Sequence, residues 1–125
     1  MIVGLGIDVV EVSRLADALH RHGDRFVLRV FTDLERAACD PRADRLLAYA
    51  ARFAAKEACL KALGTGWAEG LGFRDVEVVR EGNQPPRLVL HGEAVRRAES
   101  LGVIRSHVSL THQPGLAAAV VILES

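Results

Sequence analysis

The stretch that most limits what this chain can fold into runs from about Arg42 to Gly66 and ends Arg52-Phe-Ala-Ala-Lys-Glu-Ala-Cys-Leu-Lys-Ala-Leu-Gly-Thr-Gly66. It is an unbroken run of helix formers with no Gly or Pro before Gly64, which stands where a left-handed C-terminal residue is wanted. The spacing predicts one long helix around which the remaining residues must pack. At about 100° per residue, Arg45, Arg52 and Lys56 fall within roughly 40° of one another. Glu57 and Lys61 lie on a different side, beside Leu46, Ala50, Phe53 and Ala54. Two charges therefore point along an apolar face.

An i,i+4 Glu-to-Lys pair in solvent is one reading of Glu57 and Lys61, and it would contribute a few tenths of a kcal/mol. A charge on a core-facing stripe otherwise has to be paired, bound to a metal or set in a cleft, because bare burial costs several kcal/mol. Basic residue usage favours the second reading. The chain has fourteen Arg and two Lys, and both Lys are in this stretch. A compact, flexible ammonium is thus used only here.

Half of the 125 residues are hydrophobic, 26% are charged and the formal net charge is zero, which fits a single globular domain over residues 1–125 able to bury a core. The balance excludes a basic nucleic-acid footprint. No apolar run reaches the length of a membrane span, and Asp8 and Glu11 make the start too polar for a signal peptide. Cys39 and Cys59 share no metal-type spacing and read as small core residues of a reducing cytoplasm.

Residues 2 to 12 suit an opening strand with Val3, Leu5, Ile7 and Val9 on one face and Gly4, Gly6 and Asp8 on the other. Asp8 then stands beside bare backbone, a place where a ligand can approach, although it is also a plausible cap for the next element. The Gly-x-Gly is no dinucleotide fingerprint, since Val9 occupies the third Gly position. Ser13 is the expected N-cap of a helix running to about His22 and ended by Gly23. On it Arg14, Ala18 and Arg21 form a stripe that Arg25 extends, either a solvated face or a dock for an acidic helix. Thr32-Asp-Leu-Glu35 reads as a capping box for a short helix that stops at Asp40-Pro41.

Beyond Gly66 the period becomes two. Strands are expected over Phe73 to Arg80 and Arg87 to Leu90, a helix from Glu93 to Leu101, then strands over Arg105 to His112 and Leu116 to Leu123 about a turn at Gln113-Pro-Gly115. The last strand is so uniformly apolar that it is expected to be covered on both faces. The sum is an α+β fold, a largely antiparallel sheet with helices packed on one side. His107, Ser109 and Thr111 share a strand face and His112 closes it, but no G-x-S-x-G elbow precedes a helix and no orienting acid is evident. His20, His22 and His91 read as surface or capping residues.

Three motifs in order, Gly6-Ile-Asp8-Val-Val-Glu11-Val-Ser-Arg14, then Arg52-Phe-Ala-Ala-Lys56-Glu57-Ala-Cys-Leu-Lys61-Ala-Leu-Gly64-Thr-Gly66, then His107-Val-Ser109-Leu-Thr-His112, span nearly the whole chain. In this the sequence resembles the holo-acyl-carrier-protein synthases, the small phosphopantetheinyl transferase family. Thr111 stands where Ser is common in that family, and Arg52-Phe53 precede the Lys-Glu pair where some members carry Trp.

The resemblance implies transfer of the 4′-phosphopantetheine arm of coenzyme A to a serine of an acyl carrier protein, a Mg²⁺-dependent phosphoryl transfer of fatty acid biosynthesis. It implies Asp8 and Glu57 as metal ligands, with Glu57 and Lys61 as catalytic groups and Lys61 at the diphosphate. Arg45, Arg52, Gly64, Thr65, Gly66, His107, Ser109 and His112 become the coenzyme A contacts. Arg14, Arg21 and Arg25 become the contacts to the carrier. It further implies a homotrimer with sites between subunits, one chain supplying the metal site and its neighbour Arg45, Arg52 and His107. The residues by themselves leave two other readings open. One is a magnesium-dependent hydrolase of coenzyme A or nucleotides; the other is a non-catalytic module that binds an acidic helix.

Overall fold

The computed structural model describes residues 1–64 and 71–125. In chain order it comprises β1 (Ile2–Glu11), α1 (Val12–His22), α2 (Asp24–Val30), α3 (Asp33–Cys39), α4 (Arg45–Leu63), a 3₁₀ turn (Phe73–Asp75), β2 (Val76–Val79), β3 (Arg87–Leu90), α5 (Gly92–Ser100), β4 (Arg105–Gln113) and β5 (Leu116–Glu124). Among these residues the strands make two antiparallel sheets, one in the order β1-β5-β4 and one of β2 with β3. The larger sheet packs against α4 on one side, the α+β arrangement read from the sequence.

Helix α4 is the core of the molecule. Ala48, Ala50, Ala51, Ala54, Ala55, Ala58 and Ala62 are all buried, and their small side chains let the helix lie close on the sheet. The helix stops at Gly64, whose φ of 79° is the left-handed conformation expected of it, and Arg97 Nε donates to the Leu63 carbonyl at 2.9 Å. The strand side is equally specific. A Cβ on Gly6 would overlap the Ala58 carbonyl, and one on Gly4 the Ala62 carbonyl. These glycines therefore make room for the helix and not for a ligand, contrary to the expectation from their place beside Asp8.

Several local expectations are corrected. Helix α1 starts at Val12 with Glu11 at the N-cap and no side-chain cap bond, so Ser13 is not its cap. Helix α2 was not expected at all, α4 begins at Arg45 rather than about Arg42, and Phe73 opens a 3₁₀ turn before the strand. The capping box of α3 is present, with Thr32 Oγ1 accepting from the Glu35 N–H and Glu35 Oε1 from the Thr32 N–H. Strand β5 lies in the centre of its sheet, bonded on both edges.

The faces of that sheet differ. Ala117, Ala119, Val121 and Leu123 of β5 are buried against the helix side. The opposite face is open instead of covered. There Leu5, Ile7 and Val9 are 63%, 63% and 58% exposed. They stand opposite Ile122, Val120 and Ala118, which in turn stand opposite His107, Ser109 and Thr111.

Candidate functional site

Asp8 lies on the helix-facing side of β1, in the same alternation as Gly4 and Gly6, and there it meets the C-terminal half of α4. Lys61 Nζ donates to Asp8 Oδ1 at 3.1 Å and to the Ile7 carbonyl at 2.9 Å. Glu57, one turn before Lys61 on the helix, lines with Asp8 a cleft of about 640 Å³. Loss of water raises the Glu57 carboxyl above its ordinary value and the nearby Asp8 charge raises it further, while Lys61 pulls it down. Lys61 is bonded to Asp8 and its charge also acts on Glu57, so two carboxylates face one ammonium, an excess of negative charge that a hard divalent cation would relieve.

Among the described residues no group of three or more His, Cys, Asp or Glu forms a metal cage. Asp8 and Glu57 alone fit the habit of Mg²⁺, which takes one or two carboxylates and completes its shell with water and substrate phosphate oxygens. The site keeps that room, since the cleft is bounded by the apolar Val10, Leu15, Ala18, Phe26 and Phe53. Arg14 lies at the same cleft. A second cleft adjoins it across Phe26 and Ala18, and His22, Arg25, Arg29, Val30 and Phe73 complete its lining. Arg21 is exposed on the same helix as Arg14. Of the arginines expected to meet a partner, Arg14 and Arg25 therefore border an apolar groove that leads to the carboxylates; Arg29 and the aromatic wall were not anticipated.

The other expected site residues are not gathered there. Arg45 begins α4, twelve residues before Glu57 and so about 18 Å along the axis. It is exposed, with Nη2 3.9 Å from Asp40 Oδ1. Arg52 is nearly buried: Nη1 reaches the Ala48 carbonyl at 3.4 Å, and Nε has no hydrogen-bond partner. His107 and Ser109 stand on the open sheet face, opposite to the side that carries Asp8, and His107 Nε2 pairs with Glu124 Oε1. His112 is exposed near the end of β4, and Gly64 is the cap of α4. Thr65 and Gly66 lie outside the described residues.

Lys56 departs most from its sequence pattern. Its ammonium, grouped with Arg45 and Arg52 by helical angle, is fully buried and paired with Glu35 Oε1 at 2.6 Å. It also donates to the Phe73 and Val76 carbonyls at 3.0 and 2.6 Å. The capping-box glutamate was legible, but its second task was not.

A family model described as the 4′-phosphopantetheinyl transferase superfamily matches residues 4–121. The chain belongs to this superfamily. Among its relatives, a holo-[acyl-carrier-protein] synthase of Methylobacterium radiotolerans is 53% identical over 129 residues, covering 100% of this chain and 95% of the relative. The crystal structure of the Neisseria meningitidis synthase superposes with a TM-score of 0.91 at 28% identity, with full coverage of both chains. The Helicobacter pylori synthase in complex with coenzyme A superposes with a TM-score of 0.84 at 29% identity, covering 96% of this chain and 99% of that one. The three motifs quoted from this transferase thus sit on a fold shared along its whole length.

Proposed function

We propose that this transferase moves the 4′-phosphopantetheine group of coenzyme A onto a serine hydroxyl of an apo acyl carrier protein in the cytoplasm, as a Mg²⁺-dependent step of fatty acid biosynthesis. The serine oxygen bonds to the phosphorus that carries the pantetheine arm, the bond from that phosphorus to the bridging oxygen breaks, and adenosine 3′,5′-bisphosphate leaves while the serine proton is lost. The observation that carries this reading is the meeting of Asp8 and Glu57 at an apolar cleft bordered by Arg14, with Lys61 bonded to Asp8 and Arg25 in the adjoining cleft.

Asp8 and Glu57 would hold Mg²⁺, which supplies charge neutralisation at the diphosphate when bound. Lys61, already fixed by Asp8 and the Ile7 carbonyl, would supply an ammonium where charge collects on the leaving side. Phosphoryl transfer needs little covalent help, so positioning and electrostatics are the main task of the site. Arg14, Arg21 and Arg25 would meet the acidic helix of a carrier, and a hydrolase would have no use for them. Incubation with coenzyme A, Mg²⁺ and apo carrier tests the reading by intact mass. A carrier heavier by one phosphopantetheine supports it, and release of adenosine bisphosphate with an unmodified carrier favours the hydrolase.

The assembly we propose is a homotrimer. Its support is the open apolar face of Leu5, Ile7 and Val9, which a symmetric contact would cover. Arg45 and His107 lie away from the carboxylates of their own chain, and Arg52 follows two turns along the Arg45 stripe. Brought from a second copy, they would supply the forked and charged contacts suited to a phosphate of coenzyme A. Glu57→Ala and His107→Ala proteins, each poorly active, should regain activity when unfolded and refolded together. No recovery in mixtures shown by mass to contain both chains would place the site within one subunit.

A further inference from the structure

Among the buried charged residues that the transfer chemistry leaves unused is Lys56, whose side chain is completely buried. Its three N–H donors have three acceptors: Glu35 Oε1, the Phe73 carbonyl and the Val76 carbonyl. Glu35 is equally committed, accepting from the Thr32 N–H through Oε1 and from the Val78 N–H through Oε2. The pair therefore ties α3, α4, the 3₁₀ turn and β2 at one point.

Stability alone does not account for such a pair. Well-packed apolar residues of similar volume usually serve as well or better in a core, because two desolvated charges cost about what their attraction returns. What an apolar side chain at position 56 does not do is hold two main-chain carbonyls at fixed places. Those carbonyls lie at the start of the 3₁₀ turn and just after its end, so the ammonium fixes that turn against α4.

The turn matters because of Phe73. Its ring centroid is 5.1 Å from that of Phe53 on α4, and Phe53 is 6.2 Å from Phe26 on α2. Phe73 and Phe26 line the cleft that carries Arg25 and Arg29, and Phe26 and Phe53 line the cleft that carries Asp8, Glu57 and Arg14. The aromatic row thus runs from one cleft to the other, with Phe26 shared by both. An apolar wall beside arginines is the surface that one amphipathic, acidic helix matches with both of its faces.

We propose that Lys56, held by Glu35, is a positioning residue for the carrier: it sets the Phe73–Phe53–Phe26 wall on which the carrier docks and touches neither coenzyme A nor the reacting atoms. This rests on the transferase reading above. It predicts that loss of the ammonium is felt as weaker use of the carrier, transmitted through Phe73.

The test uses a double variant, Lys56→Met with Glu35→Gln, which removes both charges together and leaves no buried ion unpaired. Its melting is followed alongside kcat and the KM of each substrate. The expected result is a folded protein whose KM for carrier rises roughly fivefold or more, the loss typical of a contributing interface side chain. The KM for coenzyme A should stay within about twofold, as it must if only carrier binding is weakened. Phe73→Leu should raise the carrier KM similarly, and adding it to the double variant should give little further effect, since both changes act on the same contact. Equal rises in both KM values overturn the proposal, as do effects that multiply. A double variant that fails to fold overturns it as well, for the pair would then hold the whole structure and not the wall. The unmodified enzyme serves as control: if it leaves apo carrier unchanged, the transferase reading falls and the proposal with it. Normal transfer with an unshifted variant removes only the proposal.

Discussion

Two lysine–carboxylate groupings on one helix, formed around adjacent residues, have opposite characters. Lys56 and Glu35 are sealed in the core with every strong donor and acceptor matched. One turn further along, Glu57 and Asp8 line a cleft, and Lys61, 52% exposed, is paired with Asp8 while its charge also acts on Glu57, so two carboxylates face a single ammonium. A satisfied pair organises its surroundings, whereas an unsatisfied one has charge left for a ligand. Chemistry is therefore expected from the second group and geometry from the first, although both read as Lys and Glu in the sequence.

The largest effect that would break or sharpen this contrast is on turnover. Asp8→Ala, Glu57→Ala and Lys61→Ala should each lower transfer by about a thousandfold, a loss of several kcal/mol of charge stabilisation. Their melting temperatures should stay near that of the parent. An active Glu57→Ala, or one that unfolds, would make that carboxylate structural and erase the distinction.

Lys56→Ala should behave in the opposite sense. It leaves Glu35 buried without its partner, which typically costs about 3–5 kcal/mol, read as a shift of the urea midpoint. A midpoint close to the parent's would show that the pair is not as buried as the structure has it.

Gly6→Ala comes next. The added methyl meets the Ala58 carbonyl, part of the helix backbone, and overpacking of that kind costs about 1–3 kcal/mol. The loss should appear in stability. A stable variant with weakened coenzyme A binding would return Gly6 to the ligand-facing role first expected of it.

These glycines show what could be read before the structure and what could not. Helix α4, the Thr32 box, the Gly64 cap and strands β3 to β5 depend on neighbours within a few residues, and periodicity and capping rules located them to within three residues. Asp8, Glu57 and Lys61 were also legible, because charges on an apolar stripe or beside glycines break a local pattern. Burial of Lys56 was not legible, since its acceptors Phe73 and Val76 lie 17 and 20 residues away. The helix that fills the space above Gly4 and Gly6 is more distant still, more than 50 residues along the chain. Helix α2 is only seven residues long, too short for a periodic stripe, and so Phe26 and Arg29 went unplaced at the groove.

Smaller effects concern the arginines and a carboxylate at the edge of the buried network. Arg21→Glu with Arg25→Glu should raise the KM for carrier about tenfold at low ionic strength and less as salt is added, because such charges act mainly on association. The KM for coenzyme A should hardly move. Equal changes in both would detach these residues from the carrier.

For Glu77, burial raises the carboxyl, but the Thr32 hydroxyl, the His91 ring and the charges of His91 and Lys56 outweigh it, and the net direction is downward. A lowered folded value means that its stabilisation is complete above the ordinary carboxylate range and is lost as pH falls through the folded value. The gap in melting temperature between the parent and Glu77→Gln should therefore be widest near neutrality and close in acid. A gap that widens on acidification would reverse the assigned sign.

The most direct test of the difference between the two groupings is the mass of an apo carrier after incubation with coenzyme A and Mg²⁺, using parent, Glu57→Gln and Lys56→Met/Glu35→Gln enzymes at saturating carrier. The account predicts full conversion to the phosphopantetheinylated mass with the parent and with the double variant, and an unmodified carrier with Glu57→Gln. Conversion by Glu57→Gln at the parent's rate, or none by a folded Lys56→Met/Glu35→Gln, would contradict it.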